Sequence, residues 1–248
     1  MNELIFTQPY RIRSYETGHD WKATLPPLCN QLQDIASMHA ARLGFGYADL
    51  HTKGCAWVLV RAFLRMDQLP GFGDTVNVTT WPSDSGRTAA TRDYEMSLDG
   101  QIIGRGTSAW AVIDMQSRKA VDASEVISRG QLPDRKRALD FETRAVKRIR
   151  EGEFRTSVLA RQSDEDVNRH VNSIRQVEFL LESCPVRWQD KQRCIGADVQ
   201  FRAECHAGDE LVSMCQPQGD GTAQHSLLRT ADNREVARMK TWWQEKQA

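Results

Sequence analysis

The sequence predicts an α+β protein in which one domain occurs twice, each copy a long helix followed by several antiparallel strands. Three observations carry this. A helix of apolar period opens each half, alternating strands with short turns follow it, and the order of elements repeats at an offset of about 130–145 residues, far beyond any solenoid repeat. The 248 residues suffice for one large domain or two of roughly 120 residues each.

The elements follow in order. Pro26 to Leu43 reads as a helix, with Leu28, Leu32, Ile35, Met38 and His39 at three- and four-residue steps and Gly44 as a stop. Trp57 to Phe63 is a strand, Pro70 to Asp74 a turn, and Thr75 to Trp81 an alternating strand. Thr88 to Leu98 and Gln101 to Ile113 flank Asp99-Gly100, a hairpin signal. The second half opens on a helix from Asn172 to Ser183, closed by Pro185. Gly196 to Glu204, Leu211 to Cys215, Gln224 to Thr230 and Glu235 to Trp243 read as its strands, and Trp242 falls where Trp110 fell. A curved antiparallel sheet wrapped around one helix fits each copy. The expected organisation is domain 1–130, a charged connector 131–150, and domain 151–248.

Composition narrows the function. Lys+Arg 33 balances Asp+Glu 33, so the basic excess of a phosphate-neutralising nucleic-acid binder is missing. No apolar run reaches the roughly 18–20 residues of a membrane helix. Met1-Asn2-Glu3-Leu4-Ile5-Phe6 shows no signal segment, and the six cysteines form no C-x-x-C pair. The expected setting is the reducing cytoplasm, with no nucleic-acid or membrane partner.

The segment Ser163 to Asn172, just ahead of the second helix, carries the chemistry. Asp166, Asn168 and His170 alternate, and in an extended stretch they project from one face. A carboxylate, an amide and an imidazole there suit orienting a water and polarising a carbonyl, beside the N–H groups of the following helix. Other readings compete. A calcium loop fails at its sixth position, Arg169, and its twelfth, Arg175. Helix capping remains open. A transition-metal site lacks a second nearby His or Cys at a known spacing. The first half holds Asp20, Lys22 and Thr24 in the equivalent stretch, so only one copy has the full polar trio.

The chain resembles the acyl-acyl carrier protein thioesterases of bacteria and plant plastids, which are tandem hotdog proteins. Its first-half landmarks are Arg13-Ser14-Tyr15-Glu16, Asn30-x-Leu32-Gln33-Asp34, Trp57-Val58-Leu59-Val60-Arg61, Thr80-Trp81, Arg92-Asp93-Tyr94 and Thr107-Ser108-x-Trp110. The second half supplies Asp166-Val167-Asn168-x-His170-Val171-Asn172, Leu181-Glu182-Ser183-x-Pro185 and Phe201-Arg202-x-Glu204-Cys205. The resemblance implies a tandem hotdog whose second domain is catalytic, whose first serves the substrate, and which uses no metal or organic cofactor. It implies release of free fatty acid from acyl carrier protein through Asp166, Asn168, His170 and Glu204. Family proposals differ on whether Cys205, Asp166 or a Glu204-activated water attacks; water attack needs no covalent intermediate on an activated thioester. Cys205 and Glu204 are adjacent, so on a strand only one faces the site. The chain departs from the family at Ser173, Gln176 and Phe179, which bear on acyl-chain preference. It shows no transit segment, which suits a bacterial setting.

Further expectations concern the surroundings. Arg135, Lys136 and Arg137 form a basic stretch that suits docking of an acidic carrier protein, beside the plainer reading of a solvated helix face. His19, His39, His51, His206 and His225 have no matched partners in the sequence. An acyl-CoA thioesterase and a non-catalytic acyl-binding hotdog module stand as alternatives. Acyl-chain length and a further homodimer stay open.

Overall fold

Two prolines in its first turn and a run of buried apolar residues along one face define α1, Leu25–Arg42. Pro is tolerated there because first-turn N–H groups have no intrahelical acceptor. Leu25, Leu28, Leu32 and Ile35 are buried, and Gly44, at φ 78°, ends the helix in the left-handed region. The computed structural model describes residues 4–127 and 132–246. The expected domain limits at 1, 130, 131 and 248 lie outside these residues. The chain divides into two units, Met1–Phe141 and Glu142–Ala248.

In the first unit, α1 lies between β1 (Phe6–Arg11) and the short α2 (Tyr47–Thr52), and β2 (Cys55–Met66), β3 (Thr75–Ser85), β4 (Ala90–Leu98), β5 (Gln101–Asp114) and β6 (Ala120–Val121) follow. Its strands lie in the order β1-β3-β4-β5-β2, antiparallel throughout, with β6 on β5. Gly106 on β5 lets α1 seat closely, because an added Cβ would come within 3.2 Å of Leu32 Cδ1 and 3.1 Å of the Phe63 carbonyl.

The second unit repeats the plan with β7 (Phe154–Leu159), α3 (Ser173–Leu181), α4 (Val186–Lys191), β8 (Gln192–Phe201), β9 (Glu210–Pro217), β10 (Thr222–Arg229) and β11 (Arg234–Glu245). Its order β7-β9-β10-β11-β8 matches the first unit strand for strand. Ile174, Val177 and Leu180 are the buried face of α3. Pro185 caps α4 rather than closing α3.

Strands β1 and β7 were not expected from the sequence. Both alternate half-buried and exposed along their length. Pro9 weakens the strand pattern of β1, yet it is at home in a strand that terminates the unit's order, where one edge needs no N–H donor. One internal correspondence is corrected. Trp243, not Trp242, is the equivalent of Trp110: Trp243 Nε1 donates to Thr241 Oγ1 at 2.8 Å as Trp110 Nε1 donates to Ser108 Oγ at 2.7 Å.

The expected basic connector, 131–150, runs across the division between the two units at Phe141/Glu142. Residues 132–141 belong to the first unit, and two of the three docking candidates are engaged there. Arg137 Nε donates to the fully buried Asp93 at 2.9 Å, and its terminal nitrogen reaches Thr107 Oγ1 at 2.9 Å. Arg135 lies 4.0 Å over the Trp81 ring and pairs with Glu95. Both arginines thereby neutralise carboxylates on β4, and Lys136 is exposed and, among the described residues, alone of the three in no ion pair.

Candidate active site

The segment from Asp166 to His170 is a tight turn, not the extended stretch expected. A bridge between Glu165 and Val171 closes it, Asp166 N–H donates to the His170 carbonyl at 2.8 Å, and Arg169 sits at φ 59°. Asp166 holds the turn. Its Oδ1 accepts the Asn168 N–H at 2.8 Å, with the His170 N–H at 3.5 Å from the same atom. The side chain of a short acid thus mimics a backbone turn. Capping of α3 falls instead to Asn172, whose Oδ1 accepts from the Ile174 N–H at 2.8 Å. The trio Asp166, Asn168 and His170 is therefore not needed to start the helix, and the Ile174 amide is already committed.

Glu204 lies in the loop after β8, which ends at Phe201, and not on a strand as expected. The loop is stitched to the turn by the Val171 N–H, which donates to the Cys205 carbonyl at 2.7 Å. This brings His170 Nε2 to 3.8 Å from Glu204 Oε2. Both side chains are partly open to solvent, at 32% and 43%. The separation is too long for a direct hydrogen bond and short enough for one water to touch both. Asn168 is exposed on the same turn, and among the described residues its side-chain amide makes no hydrogen bond to the other three.

Cys205 points the other way. It is fully buried, and burial, with the adjacent Asp209 carboxylate, pushes its thiol up to about 12. A thiol held there stays protonated at neutral pH and is a poor nucleophile. Sequence reasoning missed His206. Its ring lies edge-on to His170, with centroids 5.0 Å apart and planes at 70°, and its Nδ1 is 3.2 Å from the Arg169 carbonyl. The signal was present but unreadable: His206 follows Glu204-Cys205, and only the pairing of loop with turn makes it a neighbour. Histidines with no matched partner in the sequence also find one in the fold. His39 Nδ1 is 3.0 Å from buried Arg92, and His225 is bonded at both ring nitrogens.

The first unit builds the same turn with different side chains. Thr17 bridges Ala23, Gly18 N–H donates to the Lys22 carbonyl at 2.9 Å, and Trp21 sits at φ 59°. The counterparts of Asp166, Asn168 and His170 are therefore Gly18, Asp20 and Lys22, which corrects the pairing with Asp20, Lys22 and Thr24. Ala23 N–H donates to the Pro70 carbonyl at 2.8 Å, as Val171 does to Cys205. Leu69 consequently stands where Glu204 stands, and Gly71 where His206 stands. None of the four groups of the second turn recurs at its place in the first.

Residues 3–129 match the family model for the acyl-ACP thioesterase N-terminal domain, and residues 147–245 match that for the acyl-ACP thioesterase C-terminal domain. The chain belongs to the acyl-ACP thioesterase family. An acyl-ACP thioesterase from Bacteroides thetaiotaomicron superposes with a TM-score of 0.87 at 26% identity, covering 98% of both chains. The 12:0-ACP thioesterase from Umbellularia californica superposes at 0.89 and 24% identity, again over 98% of each chain. With the matching sheets of its two units, this family member is a tandem hotdog. A palmitoyl-acyl carrier protein thioesterase of Arabidopsis thaliana, from the chloroplast, is 31% identical over 273 residues, which is 98% of this chain and 65% of that one. The chain spans 63–65% of the length of the first such plant relatives. The family's second domain is the one that carries the His170–Glu204 turn and loop.

Proposed function

We propose that this family member hydrolyses acyl-acyl carrier protein, releasing free fatty acid, and that water is the attacking group. The observation that carries the reading is the approach of His170 Nε2 to Glu204 Oε2, 3.8 Å apart, between a turn and a loop whose first-unit counterparts hold Lys22 and Leu69 instead. A water in contact with both gives up a proton to this pair while its oxygen attacks the thioester carbonyl. A general base of this kind contributes about 10²–10⁴ in rate. The tetrahedral intermediate places negative charge on the former carbonyl oxygen, where the exposed Asn168 amide is available as donor. Collapse breaks the carbon–sulfur bond, and the departing thiolate takes back the proton. Asp166 acts through the other two by fixing the turn that presents them.

The family, and the palmitoyl-acyl carrier protein on which the Arabidopsis relative acts, support the carrier-bound thioester as substrate. Burial and the raised thiol of Cys205 support water over a covalent acyl-enzyme. No cysteine of the chain is in a disulfide among the described residues, which supports a reducing compartment. Among these residues no helix is long and apolar enough to cross a membrane. Lys136, exposed between two engaged arginines, is the connector residue we assign to carrier docking.

A hydrolysis panel over carrier-bound acyl chains, with the matching CoA esters alongside, tests the reading. Release from carrier-bound substrate at a higher kcat/KM than from CoA is expected. Preference for CoA would move the chain to the acyl-CoA reading, and release from neither would make it a binding module. Lys136→Glu is expected to raise KM for the carrier-bound ester and to spare a soluble thioester.

A further inference from the structure

We propose that His170, Glu204 and His206 form a site for one divalent transition-metal ion of the zinc type, and that occupancy of this site switches hydrolysis off. One ligand atom from each of the three lies within 4.8 Å of the others. The His170–Glu204 edge is 3.8 Å. Bonds of about 2.0–2.1 Å to a tetrahedral ion set ligands roughly 3.3–3.5 Å apart, so closure needs a contraction of about 0.5 Å along the His170–Glu204 edge and at most about 1.5 Å along the others. Three side chains on the surface of a turn and a loop can supply that by rotation.

The backbone beneath them is already held. Val171 N–H donates to the Cys205 carbonyl at 2.7 Å, Ala207 N–H to Glu165 Oε1 at 3.2 Å, and His206 N–H to Asp209 Oδ2 at 2.9 Å. A carbonyl can only accept, so the 3.2 Å contact with Arg169 puts the proton on His206 Nδ1 and leaves the Nε2 lone pair for a ligand. A backbone carbonyl behind the non-ligating nitrogen is the usual support of a metal-binding histidine. Two imidazoles and one carboxylate favour zinc and its late first-row neighbours over calcium or magnesium, which take oxygen donors.

The first unit shows that the scaffold does not require this set, since Lys22, Leu69 and Gly71 hold its places. A second cluster, Cys184, Cys215 and His225, is wholly buried, and its histidine is spoken for. The Leu180 carbonyl can only accept, so Nδ1–H goes to it at 3.2 Å, and Nε2 is taken up by the Thr241 hydroxyl 2.8 Å away. That cluster is a core network.

A metal on the exposed set takes the imidazole lone pair and the carboxylate that would receive the proton of water. The inhibitory half of the proposal rests on the hydrolase reading; the site itself does not. Titration of the metal-free full chain with Co²⁺, followed by Zn²⁺ competition, tests it. Expected are one equivalent bound, visible d–d bands without an intense thiolate-to-cobalt band, and weakening of more than about 10-fold in His206→Gln. Zn²⁺ should inhibit fatty-acid release, a chelator should restore it, and His206→Gln should shift inhibition by the same factor while keeping metal-free turnover. No binding, a thiolate band, or inhibition unchanged in His206→Gln would overturn the proposal. Binding that behaves as expected in a chain without turnover would uphold the site and count against the hydrolase reading alone.

Discussion

The turn at residues 17–23 and the turn at residues 165–171 have the same backbone and opposite chemistry. In both, one N–H reaches four residues on, one residue sits near φ 59°, and the following amide pins a distant loop. The difference lies in how the carboxylate tether is placed. In the first turn Asp20, inside the turn, accepts the Lys22 N–H at 3.1 Å. In the second the tether has moved to the turn's first residue, Asp166, and the position of Asp20 is given to Asn168, whose amide faces solvent. The turn itself is what this fold needs to enter its helix; the side chains it presents are a separate choice. That separation is what makes the second set readable as function.

The sharpest way to break the comparison is to delete the groups that differ. His170→Ala or Glu204→Gln is expected to lower kcat by about 10²–10⁴, whereas Lys22→Ala in the first turn should leave it within about twofold. Equal losses from both turns, measured by steady-state release of fatty acid, would erase the distinction.

Next in size is a contrast between the sheets. Asp93 on β4 is fully buried against Arg137, while the matching place on β10 holds neutral Gln224. Arg137→Ala strands a buried charge and is expected to destabilise the chain by about 2–3 kcal/mol, read by denaturant unfolding, since Arg137 is a third exposed and screened in part. Docking to the carrier should change only as much as folding does.

The tether gives a smaller effect. Asp166→Ala removes an acceptor worth about 1 kcal/mol and loosens the turn, with kcat falling roughly 10-fold. Asp166→Asn keeps an acceptor oxygen and should recover most of the loss. A full loss in Asp166→Asn would assign the carboxylate charge itself to the chemistry.

The smallest effect is expected at Cys205. Its pKa is raised, so the thiolate forms only as pH climbs towards about 12, and at pH 8 about one thiol in 10⁴ is ionised. Alkylation of Cys205 in the folded chain should therefore be slow at pH 8. Cys205→Ala should retain kcat within about twofold and cost about 1 kcal/mol in stability. Loss of turnover there would restore the covalent route.

Much of this was legible from residue order. The helix from Pro26, the hairpin at Asp99-Gly100 and the repeated succession of strands follow from periodicity and turn chemistry, which are local properties. So was the trio Asp166, Asn168 and His170, because three polar residues ahead of an apolar helix stand out. The strands β1 and β7 did not, since a six-residue alternation with Pro9 in one of them resembles a loop until a neighbouring strand is in place. The register between the halves slipped by two residues because the turns share no side chain, only hydrogen bonds. His206 and the engaged Arg135 and Arg137 were hidden for a related reason: their meaning depends on what lies opposite, across 30 or more residues of chain.

The salt link between Arg137 and Asp93 decides where the first half of the chain can be cut. Severed after residue 130, an isolated N-terminal half would expose β4 with a bare anion in its interior and an uncovered Trp81 ring, and would be prone to misfold or stick to itself. Carried through to Phe141, the same half keeps its own counter-ion and its own lid on that tryptophan, so proteolytic dissection and separate expression should yield a tractable fragment only at the later boundary.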